Sequence, residues 1–209
     1  MDEQKPYHHP DLKNTLVAAG LAILAEQGIN GLNLRAVARR AGVSHTAPYC
    51  HFANKEALIV AIAEDGFRRL GEQLGAAKIA TLGGAKAQLV AVGRAYIGFA
   101  VEQPDSFRVM FSHIIAHREQ HLELCALAKA CFQLLQSVIT AGQAGGEFAI
   151  VDSVELTKSA WSMLHGLASL LVEGQFAEGG QDAQTQEKTI RFHLERMLAA
   201  LALIDAATV

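Results

Sequence analysis

Residues 34–55 read Leu-Arg-Ala-Val-Ala-Arg-Arg-Ala-Gly-Val-Ser-His-Thr-Ala-Pro-Tyr-Cys-His-Phe-Ala-Asn-Lys, and this stretch decides the fold. Leu34, Val37, Ala38 and Ala41 recur at helical spacing, which gives a short helix one apolar face and leaves Arg35, Arg39 and Arg40 elsewhere on its surface. Gly42 ends that helix, because glycine accepts the left-handed conformation just past a helix terminus, and Val43 can pack into the corner. Ser44 restarts the chain as an N-cap whose hydroxyl can accept an unpaired backbone N–H of the next turn. Two helices across a tight turn make a helix-turn-helix, in which the second helix enters the DNA major groove and the first crosses the backbone.

The charge distribution points the same way. Between Ile29 and Lys55 stand four basic residues, Arg35, Arg39, Arg40 and Lys55, and no acidic one, so the window carries +4. The whole chain is −3, so the remainder carries −7. An anionic polymer selects such an asymmetry, since phosphate neutralisation drives most nonspecific affinity.

Gly42-Val43-Ser44, Tyr49, His51-Phe52, Lys55-Glu56 and Leu58 together resemble the signature of the TetR family of bacterial transcriptional regulators. The match is dense over about the first quarter of the chain. The resemblance implies an all-helical fold, with a three-helix DNA-binding head joined by a long helix to a helical ligand-binding and dimerisation body. The expected division is residues 1–55, an N-terminal arm with the helix-turn-helix, and 56–209, the body.

Composition agrees with that class. With 209 residues and 51% hydrophobic content, the chain can bury a substantial core of one or two domains. Apolar residues fall at helical spacing, and only four prolines interrupt them. Lys, Arg, Glu or Gln breaks each apolar run, so no membrane span is expected, and a soluble, cytoplasmic protein is. Cys50, Cys125 and Cys131 are an odd number without a pairing pattern, and reduced thiols fit a cytosolic chain.

Taken in order, Pro6 and Pro10 around Tyr7-His8-His9 suggest a mobile arm. Leu12, Leu16, Ala19, Gly20, Ile23 and Leu24 form the stripe of a first helix ending near Gly28, with Lys13 available for phosphate. Phe52 should plug the core of the head. Asn54 should cap a long helix through Leu58, Ile62, Phe67, Leu70 and Leu74, with Lys55 in its first turn, where the helix dipole already favours a phosphate oxygen. Thr81-Leu82-Gly83-Gly84 reads as a turn. A helix through Leu89, Val92, Tyr96, Phe99 and Ala100 follows, stopped before Pro104, and then a short element, Phe107–Phe111. A longer helix should run from about Glu119 to Ala141, ended by Gly142 and Gly145-Gly146. Asp152-Ser153 should cap a helix ending near Gly174, and after Glu178-Gly179-Gly180 a last helix carries Ile190, Leu194, Met197, Leu198 and Leu201. The last two helices are apolar over more than one face, and the surplus asks for an identical partner across a two-fold axis. The family resemblance implies the same four-helix dimer interface. Trp161, His165 and Gly166 also resemble the Trp-x-x-x-His-Gly signature of the WHG-type C-terminal domain of one TetR subgroup.

In the second helix of the motif, His45, Thr46 and Pro48 occupy the turn that reaches base edges. Tyr49 and His51 are placed to hold phosphates, as are Arg35 and Lys55; Ser44 opens the same helix. Arg39 and Arg40 are equally accounted for by a solvated face, and Asn33 by helix capping. Cys50 departs from the family pattern, which often has a basic or bulky residue there. In the body, Tyr96, Phe99, Phe107, Met110, Phe111, Phe132, Trp161, Leu164 and His165 are candidates to line an apolar cavity for a small molecule. Trp161 and His165, four apart, share a helix face.

His113, His117, His121 and Cys125 recur every four residues and have ligand chemistry, but on one helix they would span about 18 Å, too far for one metal ion. Solvated loop histidines are the preferred reading, with no metal and no cofactor. The expected function is a sequence-specific DNA-binding regulator, a repressor released by a small apolar or amphipathic ligand. As a homodimer it would place two recognition helices in successive major grooves of a near-palindromic operator, about 34–36 Å apart. The alternative is a small-molecule binding module whose head has weakened or lost DNA binding, motivated by Cys50 and the net negative charge. An enzyme is not expected: there is no Gly-rich phosphate loop, nucleophile elbow or His-Glu-x-x-His helix, and the carboxylates are dispersed.

Overall fold

Three side chains set where helices begin. Asn33 Oδ1 accepts the N–H of Ala36 at 2.9 Å and opens α2 (Leu34–Arg40). Asn54 Oδ1 accepts the N–H of Ala57 at 2.9 Å and opens α3 (Lys55–Ala80). Asp152 Oδ1 accepts the N–H groups of Val154 and Glu155 at 2.8 and 3.0 Å and opens α7 (Ser153–Val172). Each satisfies a donor that the first helical turn leaves without an internal partner.

The computed structural model describes residues 11–176 and 182–202. Among these the chain forms eight α-helices and no strand: α1 (Leu12–Gly31), α2, α3, α4 (Ala85–Glu102), α5 (Pro104–Phe111), α6 (Leu122–Ala144), α7 and α8 (Ala183–Ala202), with 3-10 turns at Ala47–Cys50 and Arg118–Gln120. The arm with His8-His9 and the Glu178-Gly179-Gly180 turn lie outside the described residues. α1 loses helical geometry at Gly28 (φ 65°, ψ −170°), the expected end, and adds one further turn up to Gly31. α2 ends at Gly42 (φ 69°), with the Val43 N–H donating to the Ala38 carbonyl at 3.0 Å and the Gly42 N–H to Arg39 at 3.3 Å. This pair of bonds is a Schellman ending, and a side chain at Gly42 would strain it.

α3 is the axis. It packs against α1 at its start and against α4, α5 and α6 further along, so one helix belongs to both head and body. Leu58 and Ile62 press on α1 where Gly20 leaves room; a Cβ there would lie 3.1 Å from Ile62 Cδ1. Phe52, 2% exposed, fills the core of the head beside Leu16, Val37 and Leu58. α7 packs on α4 and α6, and α8 closes over α4 and α7.

Three expectations change. The long body helix starts at Leu122 instead of Glu119, because the Arg118–Gln120 3-10 turn intervenes. Gly142 does not end that helix but lies inside it, where the ring of Phe148 sits so close that a Cβ would meet it at 2.1 Å. Finally, Leu122–Ala144 is long and apolar enough to cross a membrane by length and composition, with mean hydropathy 1.5. Glu123 and Lys129 are the charges that fall in this run, and its alanines and leucines outweigh them. Here the helix packs on α3, α4 and α7, and buries Leu124, Cys131, Leu135, Val138 and Ile139.

Candidate DNA-facing surface and ligand cavity

After Gly42 the head turns through a short segment whose bonds run from residue i to i−3: Ala47 N–H to Ser44, Tyr49 N–H to Thr46, His51 N–H to Pro48. Pro48 has no N–H to give, and the second element of the motif is this 3-10 turn, Ala47–Cys50, in place of a full α-helix. Ser44 does not cap it; its hydroxyl shares a hydrogen bond with that of Thr46 at 3.1 Å. Pro48 is buried, which removes it as a base contact: its ring turns inward with Phe52. Ser44, His45, Thr46, Tyr49, Cys50 and His51 are exposed, Tyr49 at 54%.

α2 stands beside this turn. Arg35, Arg39 and His45 border one surface depression with Ala38 and Val43, so Arg39 lies within the candidate site. Arg40 does not join it, since Glu26 holds its guanidinium through two bonds of 2.6 Å. Glu26 comes from α1, outside the acid-free window, and cancels one of its four charges. Lys55 is half-buried, and its ammonium donates to the Ile29 carbonyl, tying the end of α1 to the start of α3. The remaining ammonium donors are open to another acceptor. Asn33 is occupied as a cap.

In the body, α3, α4, α6 and α7 enclose a cavity of about 450 Å³. Of the expected lining, Tyr96, Phe111, Phe132, Trp161 and Leu164 face it. Phe99, Phe107 and Met110 do not: they are 0%, 3% and 0% exposed in the surrounding core, where helical periodicity alone cannot separate a residue facing a cavity from one facing a neighbouring helix. His165 also lies off the main cavity, bordering a shallow cleft with Phe107, Arg108 and Glu173. Phe67, Leu70 and Leu74 from α3, Val92, Ala128, Cys131 and Leu135 add apolar wall, and Ser112, His113 and Arg118 add a polar edge. Of these, the sequence marked Phe67, Leu70, Leu74 and Val92 only as helix stripe and His113 only as one of a histidine series, none of them as cavity lining.

His165 acts through Tyr96. The Trp161 Nε1–H donates to the Tyr96 oxygen at 3.4 Å, and that oxygen lies 2.8 Å from His165 Nδ1. Indole can only donate, so the Tyr96 oxygen accepts from Trp161 and shares a second hydrogen bond with His165 Nδ1, whose direction follows the imidazole tautomer. Burial pulls the His165 pKa below the ordinary 6.5, pushes the Tyr96 hydroxyl well up, and pushes the Cys131 thiol up to about 11. The three-residue relay is therefore neutral.

His113, His117, His121 and Cys125 are not stacked on one helix. Ser112–His121 holds no α-helix, only the Arg118–Gln120 3-10 turn, with His117 at φ 47°, and among the described residues no three His, Cys, Asp or Glu side chains converge as a metal site would require.

A compact head with exposed cationic and hydroxyl groups, continuous through one long helix with a hollow helical body, defines the class of ligand-binding helix-turn-helix proteins. The family described as "Bacterial regulatory proteins, tetR family" matches residues 16–62, and "Tetracyclin repressor-like, C-terminal domain" matches residues 89–197. The chain belongs to the TetR family of transcriptional regulators. Over 51 residues it is 49% identical to the class A tetracycline repressor from transposon 1721 of Escherichia coli, and this match spans about a quarter of each chain (24% and 24%). It is 24% identical over 183 residues to an uncharacterized HTH-type transcriptional regulator, YobS, of Bacillus subtilis, covering 88% of this chain and 91% of that one. The solved structure of a protein with unknown function from Rhodococcus sp. RHA1 superposes with a TM-score of 0.80 at 30% identity, covering 95% of this chain and 100% of the other.

Proposed function

We propose that this chain is a homodimeric, sequence-specific repressor, working in the cytoplasm and released from a near-palindromic operator by a small apolar or amphipathic effector in its body cavity. Residues 1–55 act as the DNA-binding domain and 56–209 as the effector and dimerisation domain. The supporting observation is the sidedness of the head: Pro48 and Phe52 fill its interior, while Arg35, Arg39, His45, Thr46, Tyr49 and His51 lie exposed around one turn. His45 and Thr46 read base edges; Arg35, Arg39, Ser44, Tyr49, His51 and Lys55 hold phosphates.

α3 supplies the coupling. It begins at Lys55 beside the DNA-facing turn and carries Phe67, Leu70 and Leu74 into the cavity wall, so a ligand that fits one tilt of α3 better than another shifts the spacing of the two heads. Exposed Met163 and Leu170 on α7 and Phe192 on α8 support pairing through those helices. Gly166 is compatible with it: among the described residues nothing lies within 4 Å of where a Cβ would be, which leaves room for an approach from outside. With Trp161 and His165 it makes the body a WHG-type C-terminal domain.

The test is binding to duplexes that the wild-type protein selects from a random pool. Tyr49→Ala weakens that binding about tenfold or more without changing thermal stability; unchanged affinity refutes the assignment. The rival, a binding module with a weakened head, gains from the Arg40–Glu26 pair. It predicts no duplex selected at all.

A further inference from the structure

The cavity is not uniformly apolar. Its polar edge holds Arg118, whose Nη1 donates to the Met110 carbonyl at 2.7 Å and whose guanidinium lies over the ring of Phe67, 5.4 Å from its centroid. Among the described residues no carboxylate pairs with Arg118 and no Asp or Glu lines the cavity. Partial burial, opposed by the neighbouring Cys125, pulls its pKa below the ordinary arginine value, and no carboxylate offsets that cost. Ser112 and His113 stand on the same edge. A polar fork at the rim of a wall built from Phe67, Phe111 and Phe132 matches a molecule with an apolar body and one negative end.

We propose that the effector is an apolar monocarboxylate, its hydrocarbon part among these rings and its carboxylate on the free edge of the Arg118 guanidinium. Arg118 keeps donors beyond the one spent on Met110, and a planar guanidinium pairs with carboxylate through two parallel bonds. A single cation offsets a single negative charge, which disfavours phosphate esters of higher charge. The inference rests on the reading of this cavity as the effector site.

The full chain is titrated with decanoate, 1-decanol and decyltrimethylammonium, following the emission of Trp161, the only tryptophan, which lines the cavity. Decanoate binds about tenfold or more tightly than decanol, and the ammonium more weakly than either. Arg118→Gln lowers decanoate to the level of decanol while decanol itself is unchanged; Arg118→Lys regains part of the preference. Ala128→Phe, which fills the cavity, weakens decanoate and decanol alike. Decanol binding as tightly as decanoate, in a manner still sensitive to Ala128→Phe, overturns the carboxylate and leaves the cavity reading standing. A Gln variant that weakens both probes, with no recovery in the Lys variant, marks Arg118 as a purely structural residue and overturns it as well. No Ala128-sensitive binding by any probe overturns both readings.

Discussion

Asn33 shows how a residue with two available roles is resolved by a bond. It stands beside the DNA-facing surface, but its Oδ1 is spent on the Ala36 N–H at 2.9 Å. Asn33→Ala should cost about 1 kcal/mol in chemical denaturation and Asn33→Gly only a few tenths, because glycine lets water reach the same donors. A direct DNA contact would instead weaken duplex binding equally in both. His165 gives a pH signature. Its folded pKa lies below 6.5, so its contribution to stability is complete above pH 6.5 and declines as pH falls toward the lowered folded value, where the unfolded chain takes the proton first. His165→Gln should flatten that part of the curve when urea midpoints are compared from about pH 8 to about pH 5. At this scale the sequence was informative where chemistry is local. Caps at Asn33, Asn54 and Asp152 act within three residues, and each was legible. Glu147 was not: it reaches back to accept the N–H groups of Ala85 and Lys86 at 2.7 and 3.0 Å, capping α4 from 62 and 61 residues away.

Elements were legible to the extent that periodicity and punctuation determine them. α3 and α7 begin at their expected caps, and α5 begins at Pro104. What periodicity could not supply was the tertiary partner of an apolar face. Phe99 and Tyr96 share α4, yet one is core and the other cavity wall. The same limit hid Gly142, which punctuates nothing and instead admits the ring of Phe148. Gly142→Ala forces that ring to move, and the overpacking, about 3 kcal/mol, exceeds the roughly 1 kcal/mol that alanine gains in a helix. A net loss of about 2 kcal/mol in denaturant unfolding is expected; an Ala variant as stable as wild type would mean the ring yields freely. The recognition element is the other departure. Pro48 looked like a surface contact near a helix N-terminus, but it shapes the turn from inside, and the exposed residues on either side are what a groove would meet.

At the scale of the molecule, head and cavity are joined along α3, and the proposed dimer face lies on α7 and α8. If two copies pair through the exposed face around Gly166, a charge there is intolerable while the subunit core is untouched. Met163→Glu should convert the dimer to a monomer in sedimentation velocity and, by removing the second head, weaken duplex binding by more than any single phosphate contact does. Helical content should be unchanged. The most direct test of the account is the salt dependence of binding to a selected duplex. Head-to-phosphate recognition predicts that log affinity falls linearly with log salt, losing on the order of a hundredfold or more over a fourfold rise, with a shallower slope in Arg35→Ala. A flat salt response, or a slope indifferent to Arg35, would contradict the claim that this face of the head sits on DNA.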